Sequence, residues 1–312
     1  MILELLQLLL GLALLYFGGE WLVKGASLLA LRLGVSPLVI GVTIVAAGTS
    51  APELMVSITA ALEDQNDISL GNVVGSNICN VALILGVTAL LHSVVSSPPL
   101  RHVHTPFMVI VTLALVVLLL DGQLGRVDGL LLLAGIVGYT WYSFHRPEGE
   151  VADDLPGEEV VRARSLGYAL VLTGAGLGLL LLGAKVLVAA AVSLATEAGV
   201  SKAFIGLTIV ALGTSLPELT TSVIAAIRRE GDIAVGNIVG SNLFNILGIL
   251  GLTALIEPLS MGGVTWFDLG TMLALAILLA ALLLYRKVLA LREGGLLLAV
   301  YIGYITWLAA AS

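Results

Sequence analysis

Two hexapeptides, Gly48-Thr49-Ser50-Ala51-Pro52-Glu53 and Gly213-Thr214-Ser215-Leu216-Pro217-Glu218, set a carboxylate and two hydroxyls inside stretches that are otherwise strongly apolar. Glu53 follows Thr49 by four residues and Ser50 by three, which on a helix puts all three polar groups on one face, and Glu218 stands in the same relation to Thr214 and Ser215. Proline removes a helical hydrogen bond and glycine relaxes the backbone, so each helix is expected to break or kink here and free carbonyl oxygens. A second pair of motifs follows, Gly71-Asn72-Val73-Val74-Gly75-Ser76-Asn77 reaching Asn80, and Gly236-Asn237-Ile238-Val239-Gly240-Ser241-Asn242 reaching Asn245. Ser76 and Asn80, like Ser241 and Asn245, are one helical turn apart and add hydroxyl and amide oxygens. Carboxylate, hydroxyl, amide and carbonyl oxygens with no His or Cys cluster form a hard-ligand set, suited to Na+ or Ca2+ rather than zinc or copper. Two carboxylates neutralise one divalent ion, and an unpartnered charge in hydrocarbon is expensive.

The elements that carry these groups are membrane helices. The chain of 312 residues is 59% apolar and 11% charged, far more hydrophobic surface than one soluble core hides. Runs of about 20 apolar residues, enough to span the hydrocarbon, recur at 4–30, 36–62, 68–92, 104–121, 127–145, 166–196, 201–227, 233–257, 264–285 and 294–311. The expected class is therefore an all-α integral membrane protein with ten transmembrane helices. The first run carries Glu4 and lacks a basic leader and a small-residue cleavage pattern, so it is read as a retained helix and not a signal peptide. The net charge of −7 comes with no basic patch for nucleic acid, and Cys79 is alone, so no disulfide framework is expected. With residue 1 outside, the cytoplasmic loops hold Lys24, Arg32, Arg101, Arg146, Arg162, Arg164, Arg228, Arg229, Arg286, Lys287 and Arg292, against Arg126 and Lys202 on the other side. That bias places both termini outside.

Segment 34–91 aligns without a gap on segment 199–256, with more than half of the positions identical, at an offset of 165 residues. The offset carries five helices, and an odd number of crossings inverts the second copy in the membrane. The expected organisation is a first five-helix repeat at 1–145, a polar cytoplasmic linker at 146–164 and an inverted repeat at 165–312. Broken helices 2 and 7, with helices 3 and 8, then meet at the bilayer midplane. Packing by small residues would explain one such motif; two copies, each with an intramembrane glutamate at matching positions of an inverted repeat, point to a site.

GTSAPE, GTSLPE, GNVVGSNICN and GNIVGSNLFN resemble the alpha-repeats of the sodium/calcium exchangers, within the cation/calcium exchanger superfamily, and the similar layout extends over nearly the whole chain. The resemblance implies electrogenic antiport of about three Na+ for one Ca2+ across the cytoplasmic membrane by alternating access, helices 1 and 6 sliding as a pair over the other eight. It implies ion ligands at Ala46, Thr49, Ser50, Glu53, Ser76 and Asn80, and at Ala211, Thr214, Ser215, Glu218, Ser241 and Asn245, partly through main-chain oxygens. It implies no enzyme activity, no cofactor beyond the transported Na+ and Ca2+, and no obligate protein partner besides the bilayer. Asn245 departs from members that have aspartate there, an aspartate pattern that the potassium-dependent branch resembles more, and argues against potassium coupling. Proton/calcium exchange is the nearest rival, but its branch usually shows Gly-Asn-Ala-Ala-Glu in helices 3 and 8 where this chain has Gly-Asn-Val-Val-Gly and Gly-Asn-Ile-Val-Gly. A passive cation channel is the other alternative; for an intramembrane enzyme neither a Ser/Lys or paired-Asp constellation nor a metal-ligand helix motif is found.

The remaining polar features read as structural. Glu20 and Lys185 occupy equivalent positions of the halves and are expected to snorkel toward opposite interfaces. The acidic run from Glu148 to Asp154, with Glu158 and Glu159, reads as solvated linker; Asp121 to Gly129 reads as a tight turn; and His92, His102, His104 and His145 lie at helix ends or in loops without ligand spacing.

Overall fold

In the computed structural model, residues 2–63, 65–145, 165–198 and 211–311 are described. The acidic linker and the first half of the predicted seventh helix, at 199–210, lie outside them. Among the described residues the regular elements are helices, apart from four two-residue strands. The elements are α1 (Ile2–Leu33), α2 (Pro37–Thr49), α3 (Ala51–Leu62), α4 (Ile68–Leu91), α5 (Leu100–Asp121) and α6 (Arg126–His145). After the linker come α7 (Leu166–Glu197), α8 (Ala211–Thr214), α9 (Leu216–Ile227), α10 (Gly231–Ile256), α11 (Trp266–Arg286) and α12 (Leu291–Ala311). Among the described residues eight helices are long and apolar enough to cross a membrane, nine if the bent pair α2 and α3 counts as one span.

Local sequence explains where the helices start and stop. Ser36 accepts a hydrogen bond from Val39 N with Pro37 in the first turn of α2, Ser165 caps Tyr168 N of α7, and Thr265 forms a reciprocal capping box with Asp268 at α11. The proline of each hexapeptide falls in the first turn of the second helix piece, Pro52 in α3 and Pro217 in α9. Ser50, at φ −80° and ψ 10°, carries a 46° bend between α2 and α3, and its counterpart Ser215 has nearly the same backbone angles. The expected breaks are thus real, and they sit one residue after each threonine. Turns widened to i→i+5 hydrogen bonding follow the second motifs at Cys79–Ile84 and Phe244–Leu250, a local distortion that frequently marks functional sites.

Contacts between the halves come in exchanged pairs. Strand β1 (Val94–Val95) pairs with β4 (Val288–Leu289), and β2 (Gln123–Leu124) pairs with β3 (Leu259–Ser260). The first pair is in register Val94 with Leu289 and Val95 with Val288; shifting each residue by the 165-residue offset gives Leu259 with Leu124 and Ser260 with Gln123, the register of the second pair. Such swapped pairing is the pattern that a two-fold relation between the halves would give.

The long helices α1 and α7 pack on each other through glycine. A Cβ at Gly176 would lie 2.4 Å from the Leu22 nitrogen, one at Gly18 2.7 Å from the Leu180 nitrogen, and one at Gly183 2.8 Å from the Leu15 nitrogen. Helices in lipid gain little from burying apolar surface, so close backbone approach supplies the attraction. Away from this seam Leu9, Tyr16, Val171 and Leu182 are exposed, as a face toward acyl chains requires. Glu20 does more than reach for an interface: the Arg228 guanidinium, just past α9, holds both its carboxylate oxygens, with Nε donating to Oε1 at 3.0 Å. The expected turn at Asp121 is present, with Gly122 at φ +83° and Gln123 N donating to Asp121 Oδ1. His104, expected at a helix end, is instead fully buried within α5, its Nδ1 2.8 Å from the Tyr139 hydroxyl.

Gly176→Ala is expected to lower the melting temperature of the detergent-solubilised protein, by an overpacking penalty of about 1–3 kcal/mol. Gly178→Ala, whose Cβ would meet nothing within 4 Å, should melt at or above the wild-type temperature because alanine favours helix. Equal melting of the two variants would contradict the close crossing.

Candidate functional site

Glu53, in the first turn of α3, and Glu218, in the first turn of α9, are both about 1% exposed. Each is held by the hydroxyl at the break of the other half: Ser215 Oγ donates to Glu53 Oε1 at 3.2 Å, and Ser50 Oγ donates to Glu218 Oε1 at 3.1 Å. Breaking the helix one turn before each glutamate is what turns these serines out of their own helical register. The second carboxylate oxygen of each glutamate is buried without a hydrogen-bond partner. The ion pairs found among the described residues, Glu20 with Arg228 and Arg286 with Glu293, lie elsewhere.

Asparagines at the start of α4 and α10 fix the backbone under each glutamate. Asn72 Nδ2 donates to the Glu53 carbonyl at 3.0 Å and to Ser57 Oγ at 2.9 Å, and Asn237 Nδ2 repeats the arrangement on the Glu218 carbonyl and Ser222 Oγ. The Thr49 hydroxyl lies 3.1 Å from Asn237 Oδ1 and 3.3 Å from the Ala46 carbonyl. Ala46 is buried on α2, and a Cβ added at Gly240, beside Ser241, would lie 2.7 Å from the Ala46 Cβ. Ala211 opens α8, and Thr214 closes it, half-buried.

One turn deeper in α4 and α10 four buried asparagines interlock. Asn77 Nδ2 donates to the Asn242 carbonyl at 3.3 Å, and Asn242 Nδ2 donates to the Asn77 carbonyl at 3.4 Å. Asn245 Nδ2 donates to Asn77 Oδ1 at 2.9 Å, and Asn80 Nδ2 donates to Asn242 Oδ1 at 3.0 Å. The Oδ1 atoms of Asn80 and Asn245, and Ser241 Oγ, are left buried and unpartnered, as the Oε2 atoms of the glutamates are. A cavity of about 560 Å3 is lined by Ser76, Cys79 and Thr214 together with Asn72, Tyr301 and Tyr304; Tyr304 is fixed by a 2.8 Å hydrogen bond to Asp268.

A buried polar atom left without a partner is costly. Here two carboxylate oxygens and two amide oxygens share that state at matching positions of the two halves. All are acceptors and all are hard, a donor set suited to an alkali or alkaline-earth cation and unsuited to an anion. No group of three or more His, Cys, Asp or Glu side chains able to hold a metal occurs among the described residues, which sets this arrangement apart from a transition-metal centre. Asn72, Asn77, Asn237 and Asn242 stand inside the quoted motifs but outside the ligand set that the resemblance implies; their doubling at the same offset is the signal that marks them.

The family model described as "Sodium/calcium exchanger protein" matches residues 3–145 and again 168–310, two segments that are themselves 165 residues apart. The inner membrane protein YrbG of Escherichia coli (strain K12) is 39% identical over 99% of this chain and 97% of its own length. The sodium/calcium exchanger MaX1 of Methanosarcina acetivorans is 33% identical over 96% of this chain and 97% of its own. A solved structure of the sodium-calcium exchanger NCX_Mj, soaked with zero Na+ and Ca2+, superposes with a TM-score of 0.87 at 33% identity, covering 98% of this chain and 99% of the other. With both halves matched separately and relatives aligned end to end, this multi-span membrane chain belongs to the sodium/calcium exchanger protein family, a family of cation exchangers rather than enzymes.

Proposed function

We propose that the chain exchanges Na+ for Ca2+ across the cytoplasmic membrane, about three for one, by alternating access and without potassium. The observation that carries this reading is the pair of buried glutamates, each held on one oxygen by the opposite half and unpartnered on the other. Glu53 and Glu218 would hold the ion from opposite sides. Thr49, Ser50, Ser76 and Asn80, with Thr214, Ser215, Ser241 and Asn245, would complete the shell, and Ala46 and Ala211 would contribute main-chain oxygens. The exchanged strand pairing and the two family matches support a ten-helix architecture of two inverted repeats, 1–145 and 165–312, and the Lys/Arg bias of the loops favours a cytoplasmic linker at 146–164 with both termini outside.

Two carboxylates fix the charge of each state. A Ca2+-loaded site is neutral, and a site with three Na+ carries one positive charge, so one charge crosses per cycle. Asn245 keeps the carboxylate number at two and removes the additional acid on which potassium coupling would draw. The three residues after Gly71-Asn72 and after Gly236-Asn237 are Val-Val-Gly and Ile-Val-Gly and supply no acid for a proton relay.

In proteoliposomes, an outward Na+ gradient is expected to drive Ca2+ uptake that an inside-positive potential changes in rate; voltage-independent uptake, or uptake driven by a pH gradient without Na+, would sink three-for-one exchange. Glu53→Gln and Glu218→Gln are each expected to lower Na+-driven Ca2+ uptake about 100-fold or more, the equivalent of breaking one buried charge pair. Wild-type exchange by both variants would move the site elsewhere. Epitope tags at both ends should be accessible to antibody in right-side-out vesicles and shielded in inverted ones, and the opposite pattern would reverse the topology.

A further inference from the structure

We infer that Asn77 and Asn242 are positioning residues of the ion site, each orienting the amide of the ligand asparagine on the opposite half: Asn77 orients Asn245, and Asn242 orients Asn80. The proposal rests on the reading of Asn80 and Asn245 as cation ligands.

A primary amide presents an oxygen on one side and an NH2 on the other, and rotation by a half-turn exchanges them at almost no steric cost. A ligand asparagine is useful only if its oxygen faces the ion. The interlock removes the ambiguity, starting from two main-chain carbonyls. The Asn242 carbonyl can only accept, so the group of Asn77 that meets it at 3.3 Å must be its NH2. The Oδ1 of Asn77 is then committed to the 2.9 Å contact with Asn245, which must in turn present its NH2 there. Asn245 Oδ1 is thereby left on the far side, buried and unbonded. The same sequence runs in mirror from the Asn77 carbonyl through Asn242 to Asn80. All four side chains are at most 3% exposed, so water does not offer either ligand an alternative partner.

The pattern is crosswise in a way that simple helix packing does not require. Asn77 lies three residues before Asn80 on α4, one turn away, yet the amide it holds belongs to Asn245 on α10. Each half therefore sets the ligand of the other, and neither ligand is oriented correctly unless α4 and α10 are docked on each other.

Ca2+ affinity of the purified protein in Na+-free buffer, read by titration calorimetry, tests this through two double-mutant cycles. Asn77→Ala is expected to weaken Ca2+ binding about 10- to 100-fold, as loss of an outer partner of a metal ligand does, and Asn245→Ala, which removes the ligand itself, by at least as much. Combined, they should bind within about threefold of Asn245→Ala alone, because the first change acts only through the second residue. Asn77→Ala with Asn80→Ala should instead multiply the two single losses. Multiplication in the crosswise pair, or unaltered affinity in Asn77→Ala, overturns the proposal. The mirror cycle of Asn242→Ala with Asn80→Ala repeats the test on separate residues, and Asn77→Leu keeps the buried volume while removing the acceptor, so misfolding of one variant does not end the experiment. Melting of the ion-free protein is recorded alongside: destabilisation without any coupling in affinity would mark the asparagines as packing residues and overturn the proposal. Because the readout is binding, a chain that holds Ca2+ but does not exchange it still reports on the interlock, so failure of the exchange reading and failure of this one are separate results.

Discussion

Everything in this molecule turns on two carboxylates taken out of water with half of each left unsatisfied. Glu53 and Glu218 are buried between the halves, and each accepts from the serine of the other half on one oxygen while its second oxygen has no hydrogen-bond partner. Burying a charge at membrane depth is expensive, and no basic side chain among the described residues offsets it here. A site of this kind is incomplete without a cation. In the proposed exchange this need for positive charge would make the ion-free state the unfavourable one to carry across the membrane.

The scaffold can be read as the means of bringing those two groups together from opposite directions. Breaks at Ser50 and Ser215 free each serine to reach the opposite glutamate. Asn72 and Asn237 pin the backbone beneath the carboxylates, and the four inner asparagines lock α4 onto α10. Around this polar centre α1 and α7 cross closely through glycines with their outer faces toward lipid. That division places the most hydrogen-bonded contacts around the glutamates and leaves the two long outer helices joined to each other by a close, glycine-lined crossing.

Much of this was legible in the sequence because the signals are local and doubled. Proline inside an apolar run identifies the break, helical spacing puts the hydroxyls with the glutamate, and the ungapped offset of 165 residues identifies the repeat. What stayed hidden is long-range. The Glu20 to Arg228 pair joins residues 208 apart, and the equivalence of Glu20 with Lys185 in the repeat gives no sign of it. The asparagine interlock joins positions at least 162 apart, so neither motif alone shows that Asn77 serves Asn245 and not its neighbour Asn80. His104 does lie near the start of α5, but its burial against Tyr139 is not visible in a sequence where Arg101 and His102 beside it look like loop.

The central claim is that one cation bridges the two glutamates through the oxygens now unpartnered. A structure determined from protein saturated with Ca2+, with anomalous scattering to identify the metal, addresses it directly. The account predicts a single Ca2+ within about 2.3–2.6 Å of carboxylate oxygens from both Glu53 and Glu218. A Ca2+ bound to one glutamate alone, or at another place in the chain, would contradict it.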